Sequence, residues 1–194
     1  MIKENENDAA ENFGAIARKT RLERGLPIEQ LAQLSGVSRA MISRVERGET
    51  SPTLPIASRI AKGLGVSLSH LLGAQPASRG IAVIRRNERV SFTDPSSGFL
   101  RELLSPPLDG DGIEVALHTI PPGQSSGWLP SYAAGTRKYL YLELGTLILT
   151  VGADQAALQA GDSVCFNAEV AHCFANQASS LCRYVLIVAR RPTG

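Results

Sequence analysis

The chain has 194 residues and a formal net charge of +2, with 43% hydrophobic and 20% charged residues. These values describe an ordinary soluble globular protein with room for one large domain or two small ones. No signal peptide begins the sequence, and the longest apolar run, 139–151, is interrupted by Glu143 and Gly145, which excludes a membrane span. We therefore expect a cytoplasmic protein without membrane contact.

The charge is distributed unevenly along the sequence. Residues 1–11 carry a net charge of −3 and residues 12–73 a net charge of +5, whereas residues 74–194 contain ten basic and ten acidic residues. A compact basic segment joined to a neutral one favours a nucleic-acid-binding module attached to a second domain. A surface that is merely basic would give the same pattern.

The first two predicted helices follow a polar lead. Residues 1–11 lack apolar periodicity, which predicts a flexible segment, and helical spacing begins near Asn12. Gly25 ends the first helix, Pro27 suits the first turn of the second, and Gly36 allows the chain to reverse after it. The residues predicted to face the core are Phe13, Ile16, Ala17, Leu22, Leu31, Ala32 and Leu34.

The stretch from Ser38 to Gly48, SRAMISRVERG, is predicted to form a short amphipathic helix. At helical spacing Ile42 and Val45 fall on the side that faces the preceding helices. Ser38 can accept a hydrogen bond from the first turn, and Gly48 can adopt the positive φ that ends the helix. The other side suits a DNA major groove, because Arg binds guanine O6 and N7 in a bidentate manner. Its outward residues are Arg39, Ser43, Arg44 and Arg47.

Two more helices complete the N-terminal region. One is predicted over 54–63, after Thr53 as its cap, and a short helical turn is predicted over 67–72. The small polar segment 74–80 has the composition of a linker. We therefore predict an all-α domain of five helices over residues 12–73.

The run from Leu22 to Leu72 resembles the phage-repressor-like (XRE-type) helix-turn-helix family, and the similarity extends over residues 13–73. The features that carry it are Ala32, Gly36, Ile42, Val45, Glu46-Arg47-Gly48, Ser51-Pro52-Thr53, Ile60-Ala61 and Leu64-Gly65-Val66. The resemblance implies a helix-turn-helix module whose third helix enters the major groove of double-stranded operator DNA.

The same resemblance implies roles for individual residues. Arg39, Ala40 and Arg44 take the positions that meet base edges, and the two arginines favour guanine. Residues nearer the phosphates hold the register without reading sequence. Arg47 has an alternative, since it could instead pair with an adjacent glutamate at the surface. The DNA-binding residues implied are Ser38, Arg39, Ala40, Ser43, Arg44, Arg47, Thr50 and Ser51.

The pattern changes completely after residue 80. Helical spacing disappears, and short segments rich in Val, Ile, Leu, Tyr and Phe alternate with Pro/Gly/Asp-rich breaks. Short strands at this spacing predict an antiparallel sandwich or barrel over residues 81–194. The predicted segments are 81–92, 99–104, 113–120, 139–151, 163–166, 172–174 and 181–189.

Two stretches of this region resemble the signatures of the cupin family. The first lies between 121–123 and Gly145, and the second runs from 161–162 through His172 to Asn176. The resemblance implies an all-β double-stranded β-helix (cupin) barrel that acts as an effector and dimerisation domain.

The metal ligands of cupins are largely missing. In a metal-binding cupin the first signature supplies two His and a Glu, and the second supplies another His. The corresponding positions hold Leu129, Ser131 and Lys138, so only His172 matches. One imidazole and one ammonium cannot hold Zn²⁺ or Fe²⁺, which need three or four N, O or S donors.

The cysteines do not supply a replacement set. Cys165, Cys173 and Cys182 form no CxxC pair, and we expect reduced thiols rather than a disulfide framework. Cys165 or Cys173 could stand in as ligands, but Cys173 follows His172 directly and would point to the opposite face of a strand. We therefore predict no metal, no other cofactor and no catalytic residues.

Lys138 and His172 favour a different chemistry. Alternation places Lys138 and Leu140 on one face of a strand and Tyr139 and Tyr141 on the other. If Lys138 points inward toward His172, the pair can clamp a carboxylate or another small anion; alternatively, Lys138 lies at the mouth and extends to water. The candidate ligand-binding residues are Lys138, His172, Trp128, Leu140 and Tyr141.

A helix-turn-helix module followed by a metal-poor cupin resembles a known bacterial regulator architecture, which implies a sequence-specific transcriptional regulator that acts as a homodimer. A single repressor-like head makes few phosphate contacts, so specific affinity requires two heads on adjacent half-sites. The barrel would pair the chains and sense a small anionic effector. Two alternatives remain: a metal-dependent cupin enzyme fused to a DNA-binding domain, and a barrel that only dimerises the chain.

Overall fold

The chain divides into two compact units, Met1–Ala74 and Gln75–Gly194. The linker predicted over 74–80 lies almost wholly outside the residues that the structure describes. Among the described residues, no helix combines the length and the apolar character that a bilayer crossing requires. The computed structural model describes the backbone of residues 4–74, 81–106 and 112–190, with side chains described from residue 12 onward.

The described part of the N-terminal unit contains five α-helices, as predicted. They are α1 (Glu4–Glu23), α2 (Ile28–Ser35), α3 (Arg39–Glu46), α4 (Leu54–Leu64) and α5 (Leu68–Leu71). Helix α1 begins well before the start predicted near Asn12, so the predicted lead is helical from Glu4 onward. Alanine and glutamate have high intrinsic helix propensity, and they continue a helix where apolar periodicity has ended.

The helical core matches the predicted pattern except at two leucines. Leu22 is 59% exposed and Leu34 is 54% exposed, although both were predicted to face the core. Helix α2 instead buries Leu31 and Ser35, one turn apart, and the Ser35 hydroxyl donates a 2.6 Å hydrogen bond to the Leu31 carbonyl. A hydroxyl satisfied by its own helix can be buried, so the inward face is rotated away from Leu34.

Helix α3 is held against α1 by a buried ion pair and by a close backbone approach. Arg21 donates from Nε and Nη2 to the two carboxylate oxygens of Glu46, at 2.7 and 2.8 Å. A Cβ on Gly14 would lie 2.1 Å from the carbonyl oxygen of Val45, so only glycine permits this approach. These contacts determine which face of α3 packs inward and which face remains outside.

The C-terminal unit is all-β, as the cupin resemblance implies. Its described strands are β1 (Ser91–Thr93), β2 (Leu100–Leu103), β3 (Ile113–Ile120), β4 (Thr136–Leu144), β5 (Thr146–Val151), β6 (Asp154–Gln159), β7 (Ser163–Asn167), β8 (His172–Ala175) and β9 (Cys182–Arg190). They form a six-stranded sheet in the order β1-β2-β3-β9-β4-β7 and a three-stranded sheet in the order β6-β5-β8. All of the strand pairs are antiparallel.

Three strand predictions differ from the structure. Most of the segment predicted over 81–92 is not a strand, and Ile81 and Val83 are 97% and 59% exposed. The segment predicted over 139–151 is divided at Gly145, where φ is +82° and a Cβ would lie 2.5 Å from the Leu181 carbonyl oxygen. Strand β6 was missed because its sequence, DQAALQ, is polar and mostly exposed, so apolar alternation does not mark it.

The alternation predicted along β4 is confirmed. Lys138 and Leu140 are 1% and 2% exposed, whereas Tyr139 and Tyr141 are 43% and 49% exposed. Because β4 pairs with β7 and β9, its inward residues lie in register with inward residues of both neighbours. Lys138 is therefore a buried amine in the interior of the barrel, and the alternative position at the mouth is wrong.

The Glu46→Gln substitution tests the buried ion pair. Removing one charge leaves the Arg21 guanidinium buried with a neutral partner, so the helical unit should lose about 3–5 kcal/mol of unfolding free energy. Glu23→Gln is the matched control, since its pair with Lys19 is 62–76% exposed and should contribute less than about 1 kcal/mol. Urea unfolding followed by circular dichroism measures both. Equal losses would mean that the buried pair does not hold α3.

Candidate functional site

Helix α3 has the cap, the termination and the inward face that its sequence predicts. The Ser38 side chain accepts a 3.3 Å hydrogen bond from the Met41 N–H, and Gly48 has a φ of +71°. Ile42 and Val45 are 0% and 1% exposed. On the opposite side the predicted DNA-binding residues are accessible: Ser38, Arg39, Ala40, Arg44, Arg47 and Ser51 are exposed, and Ser43 and Thr50 are half-buried.

The three arginines of this face differ in their surroundings. Arg47 binds both carboxylate oxygens of Glu49 and the Ser43 hydroxyl, which is the surface pairing left open above. Arg39 lies 3.2 Å from a Glu29 oxygen, with both side chains more than half exposed. Arg44 forms no ion pair with any described residue. Arg44 is therefore the guanidinium most available to a ligand.

Lys138 and His172 meet inside the barrel. Lys138 Nζ lies 2.7 Å from His172 Nε2, and His172 Nδ1 lies 3.0 Å from the Val170 carbonyl oxygen. A carbonyl only accepts, so Nδ1 carries the imidazole proton and Nε2 accepts a hydrogen bond from the Lys138 amine. Among the described residues, no carboxylate forms a salt bridge with this amine.

Aromatic rings surround the amine. Nζ lies 4.2 Å from the centroid of the Tyr132 ring and 5.9 Å from that of Phe174. The Tyr132 ring comes from the loop before β4. The faces of these rings attract a cation and exclude water. Lys138 is 1% exposed, whereas Tyr132 is half-buried.

Burial dominates the electrostatics of the pair. It lowers the pKa of Lys138 from 10.5 to about 7, with the nearby Arg101 charge adding to the effect and Glu114 opposing it. Burial also lowers the pKa of His172 from 6.5 to about 3, with the Lys138 charge as the second cause. Both pKa shifts have the same origin, because burial removes the water that would hydrate the protonated form of each group. The pair therefore carries no more than one positive charge near neutral pH.

A second polar cluster in the barrel was missed by the sequence analysis. Arg101, 6% exposed, forms an ion pair with Glu114, and His118 Nδ1 lies 3.1 Å from the Tyr184 hydroxyl. His118 Nε2 is buried and has no hydrogen-bond partner among the described residues. The signal was available in β3, IEVALHTI, where alternation places Glu114 and His118 on one face.

Two of the predicted ligand-binding residues do not reach the interior. Trp128 is 52% exposed because Leu129 pairs with His172 and takes the inward position, so the preceding residue points outward. Tyr141 is 49% exposed on the outer face of β4. The structure thus brings together Lys138 and His172, with Leu140 on the same inward face, and it excludes Trp128 and Tyr141 from the site.

The interior does not suit a metal ion. Among the described residues, no group of three or more His, Cys, Asp or Glu side chains converges on a point. The Nε2 of His172 already accepts from the Lys138 amine. Leu129, at another ligand position, is an apolar buried residue. A divalent cation would find one nitrogen donor and an opposing positive charge, which is not a closed coordination set.

Comparison with known proteins agrees with both halves of the fold. A family model described as "Helix-turn-helix" matches residues 18–71, and one described as "Cupin domain" matches residues 116–188. An uncharacterized HTH-type transcriptional regulator of Methanothermobacter thermautotrophicus is 46% identical over 50 residues, which are 26% of this chain and 72% of that protein. The chain belongs to the HTH-type transcriptional regulators.

This HTH-type regulator also resembles proteins over nearly its whole length. HTH-type transcriptional regulator PuuR of Escherichia coli is 26% identical over 181 residues, covering 93% of this chain and 95% of that protein. The crystal structure of an HTH_3 family transcriptional regulator from Vibrio cholerae has a TM-score of 0.80 at 24% identity, covering 96% of this chain and 99% of that one. At this identity the structural likeness supports the fold alone.

The Lys138→Met substitution tests the burial of the amine in this regulator. The unfolded chain keeps the Lys138 proton up to about pH 10.5, whereas the folded protein releases it above about pH 7. The wild-type unfolding free energy of the barrel should therefore rise between pH 7 and pH 9, and below pH 7 this group adds no further change. In the variant this rise should be smaller, and stability at pH 7 should increase by a few kcal/mol.

Urea unfolding of the barrel at several pH values measures the difference. Lys19→Met, at an exposed position, is the control and should keep the wild-type pH dependence. A Lys138→Met variant with the wild-type slope would mean that the amine is hydrated in solution.

Proposed function

We propose that this regulator binds operator DNA sequence-specifically through the outward face of α3. Arg44 carries the proposal, because it is exposed on that face and forms no ion pair with the described residues. Arg39 is also suited to base edges, since its exposed pair with Glu29 costs little to open. Arg47 suits phosphates, because Glu49 already occupies its planar fork. The remaining contacts to DNA come from Ser38, Ala40, Ser43, Thr50 and Ser51. Because the regulator acts on DNA, we place it in the cytoplasm.

The Arg44→Ala substitution tests base reading. An operator selected from random DNA with the wild-type protein should lose about 1–3 kcal/mol of binding free energy, whereas random DNA should lose much less. Arg18→Ala, an exposed arginine of α1, is the matched control and should leave both affinities nearly unchanged. Fluorescence anisotropy at one fixed salt concentration measures the affinity of each variant for the operator and for random DNA, relative to the wild type. An equal loss on operator and random DNA would reduce Arg44 to a phosphate contact.

We further propose that the outer face of the large sheet pairs two chains. Tyr139 and Tyr141 of β4 lie beside Ile187 and Val185 of β9, and these lie beside Val115 and Leu117 of β3. Two apolar rows therefore cross three strands, and the tyrosines in them are 43% and 49% exposed. We expect a second copy of this chain to cover this face. Two DNA-binding domains on a palindromic site need a two-fold interface between their chains.

The Tyr141→Lys substitution tests this interface. A lysine in the middle of an apolar two-fold contact meets its own symmetry mate, so it should shift the protein from dimer to monomer and weaken operator binding. Trp128→Lys is the control, since it changes an equally exposed aromatic residue outside these rows. Analytical ultracentrifugation gives the mass. A Tyr141→Lys protein that remains dimeric would exclude this face.

We also propose that the barrel senses a small organic anion at Lys138 and His172, with Leu140 on the same wall. The support is the buried amine, which has an imidazole for a neighbour and no described carboxylate within salt-bridge distance. A bound carboxylate would supply the missing counter-charge and favour the protonated amine. Regulation then requires that the anion binds more tightly to one arrangement of the DNA-binding heads than to another.

A carboxylate panel tests the anion site. Acetate and glycolate should raise the melting temperature of the wild-type barrel above that in chloride of equal ionic strength. In Lys138→Met the shift should vanish. Equal shifts in both proteins would indicate a general salt effect and would leave the barrel as a dimerisation domain without a ligand.

The proposal includes no enzymatic activity. A metal-dependent enzyme would need a ligand set, whereas the amine of Lys138 already occupies the one well-placed nitrogen of His172. Stoichiometric metal that survives dialysis against a chelator would contradict this and would favour a cupin enzyme fused to a DNA-binding domain.

A further inference from the structure

Lys138 has the surroundings of a reactive amine. Its Nζ contacts His172 Nε2 and aromatic carbon, and no described carboxylate pairs with it. Lys19, by comparison, is exposed and paired with Glu23 on the surface of α1. A buried amine beside a proton acceptor is the arrangement that activates lysine toward carbonyl carbon.

We infer that Lys138 forms a reversible imine with a small aldehyde that also carries a carboxylate. The inference rests on the proposed anion site and deepens it, because it names the chemical class of the effector and the bond that holds it. A two-carbon to four-carbon oxo acid has both groups. The aldehyde would meet Nζ, and the carboxylate would remain in the positive field of the barrel interior.

His172 is placed to move the protons of this reaction. The neutral amine attacks the carbonyl carbon, a C–N bond forms, and the C=O π electrons pass to oxygen. Nε2 accepts the proton that nitrogen loses and returns it to the oxygen, which gives a carbinolamine. Nε2 then removes the remaining N–H proton of the carbinolamine and passes it to the hydroxyl group, and water leaves as the C=N bond forms. The net change is one aldehyde and one amine converted to one imine and one water, without oxidation or reduction.

The hydrogen bond to Val170 keeps His172 in the tautomer that this role needs. With Nδ1–H donating to the carbonyl, the lone pair of Nε2 points at the amine. Burial is the main cause that lowers the pKa of His172, and the second cause, the Lys138 charge, vanishes once the amine is neutral. His172 is thus a positioning and proton-transfer group for Lys138, not a separate binding site.

The polar cluster around Arg101 and His118 is the reason that we expect the aldehyde to carry a carboxylate. Arg101 and Lys138 both lower the pKa of His118, so their charges act on the same interior. The ring centroids of His118 and His172 lie 6.4 and 5.7 Å from that of Phe174, so both clusters border the same aromatic residue. The buried Nε2 of His118 has no described partner and can donate to a carboxylate oxygen when Nδ1 accepts from Tyr184.

Reductive trapping tests the imine on the full chain. Glyoxylate with cyanoborohydride at pH 7.5 should add one carboxymethyl group to Lys138, which intact mass and peptide mapping detect. Because the pKa of Lys138 is lowered to about 7, labelling there should be at least about tenfold faster than at Lys19 and Lys62. Lys138→Arg should remove the fast adduct, and His172→Gln should slow it without removing it.

Glycolate and propionaldehyde separate the two halves of the inference. Glycolate lacks the carbonyl, so it should stabilise the barrel, compete with glyoxylate and leave no adduct. Propionaldehyde lacks the carboxylate, so it should label Lys138 more slowly than glyoxylate does.

These experiments distinguish a failure of the imine from a failure of the anion site. If glyoxylate and glycolate stabilise the barrel equally and no adduct forms on Lys138, the imine is wrong and the anion site stands. If neither compound binds, the anion site fails together with the imine. If Lys19 and Lys62 are labelled as fast as Lys138, the reaction reflects ordinary surface amines and the inference is overturned.

Discussion

The contact between Lys138 and His172 decides what chemistry the barrel can perform. A cupin interior would ordinarily direct imidazoles at a metal ion, but here an amine lies 2.7 Å from the one remaining histidine. Burial opposes a second positive charge in this space, so the residues present do not fit a divalent cation. The aromatic rings of Tyr132 and Phe174 strengthen this effect because they exclude water. The proposed anion site and the proposed imine both rest on this one contact.

The DNA-binding half depends on a comparable buried interaction. Arg21 and Glu46 join α1 to α3 through two charge-assisted hydrogen bonds, and Gly14 allows the two helices to approach closely. The inward face of α3 is thereby committed to the core, and its exposed arginines remain on the outside. Arg44 has no ion-pair partner among the described residues, so it can bind a ligand without first breaking an existing pair.

Local periodicity predicted much of this arrangement. The cap at Ser38, the inward Ile42 and the alternation that separates Lys138 from the tyrosines of β4 each follow from spacing within one helix or strand, and all three are observed. The failures occurred where the deciding partner is distant in sequence. Leu34 is apolar but exposed, because the burial of α2 is set by its neighbours, and Trp128 is turned outward by the pairing of Leu129 with His172.

The sequence by itself determined the change from helical to strand pattern between the two units, the amphipathic pattern of α3 and the presence of Leu129, Ser131 and Lys138 where metal-binding cupins have ligands, since each depends on residue type at short spacing. Only the tertiary structure decided that Glu46 pairs with Arg21, that the Tyr132 ring lies against the amine and that His118 Nε2 has no hydrogen-bond partner among the described residues. The physical reason is that hydrogen bonds, ion pairs and desolvation depend on distances between atoms far apart in the chain. The sequence names the groups, but their charge states follow from what surrounds them after folding.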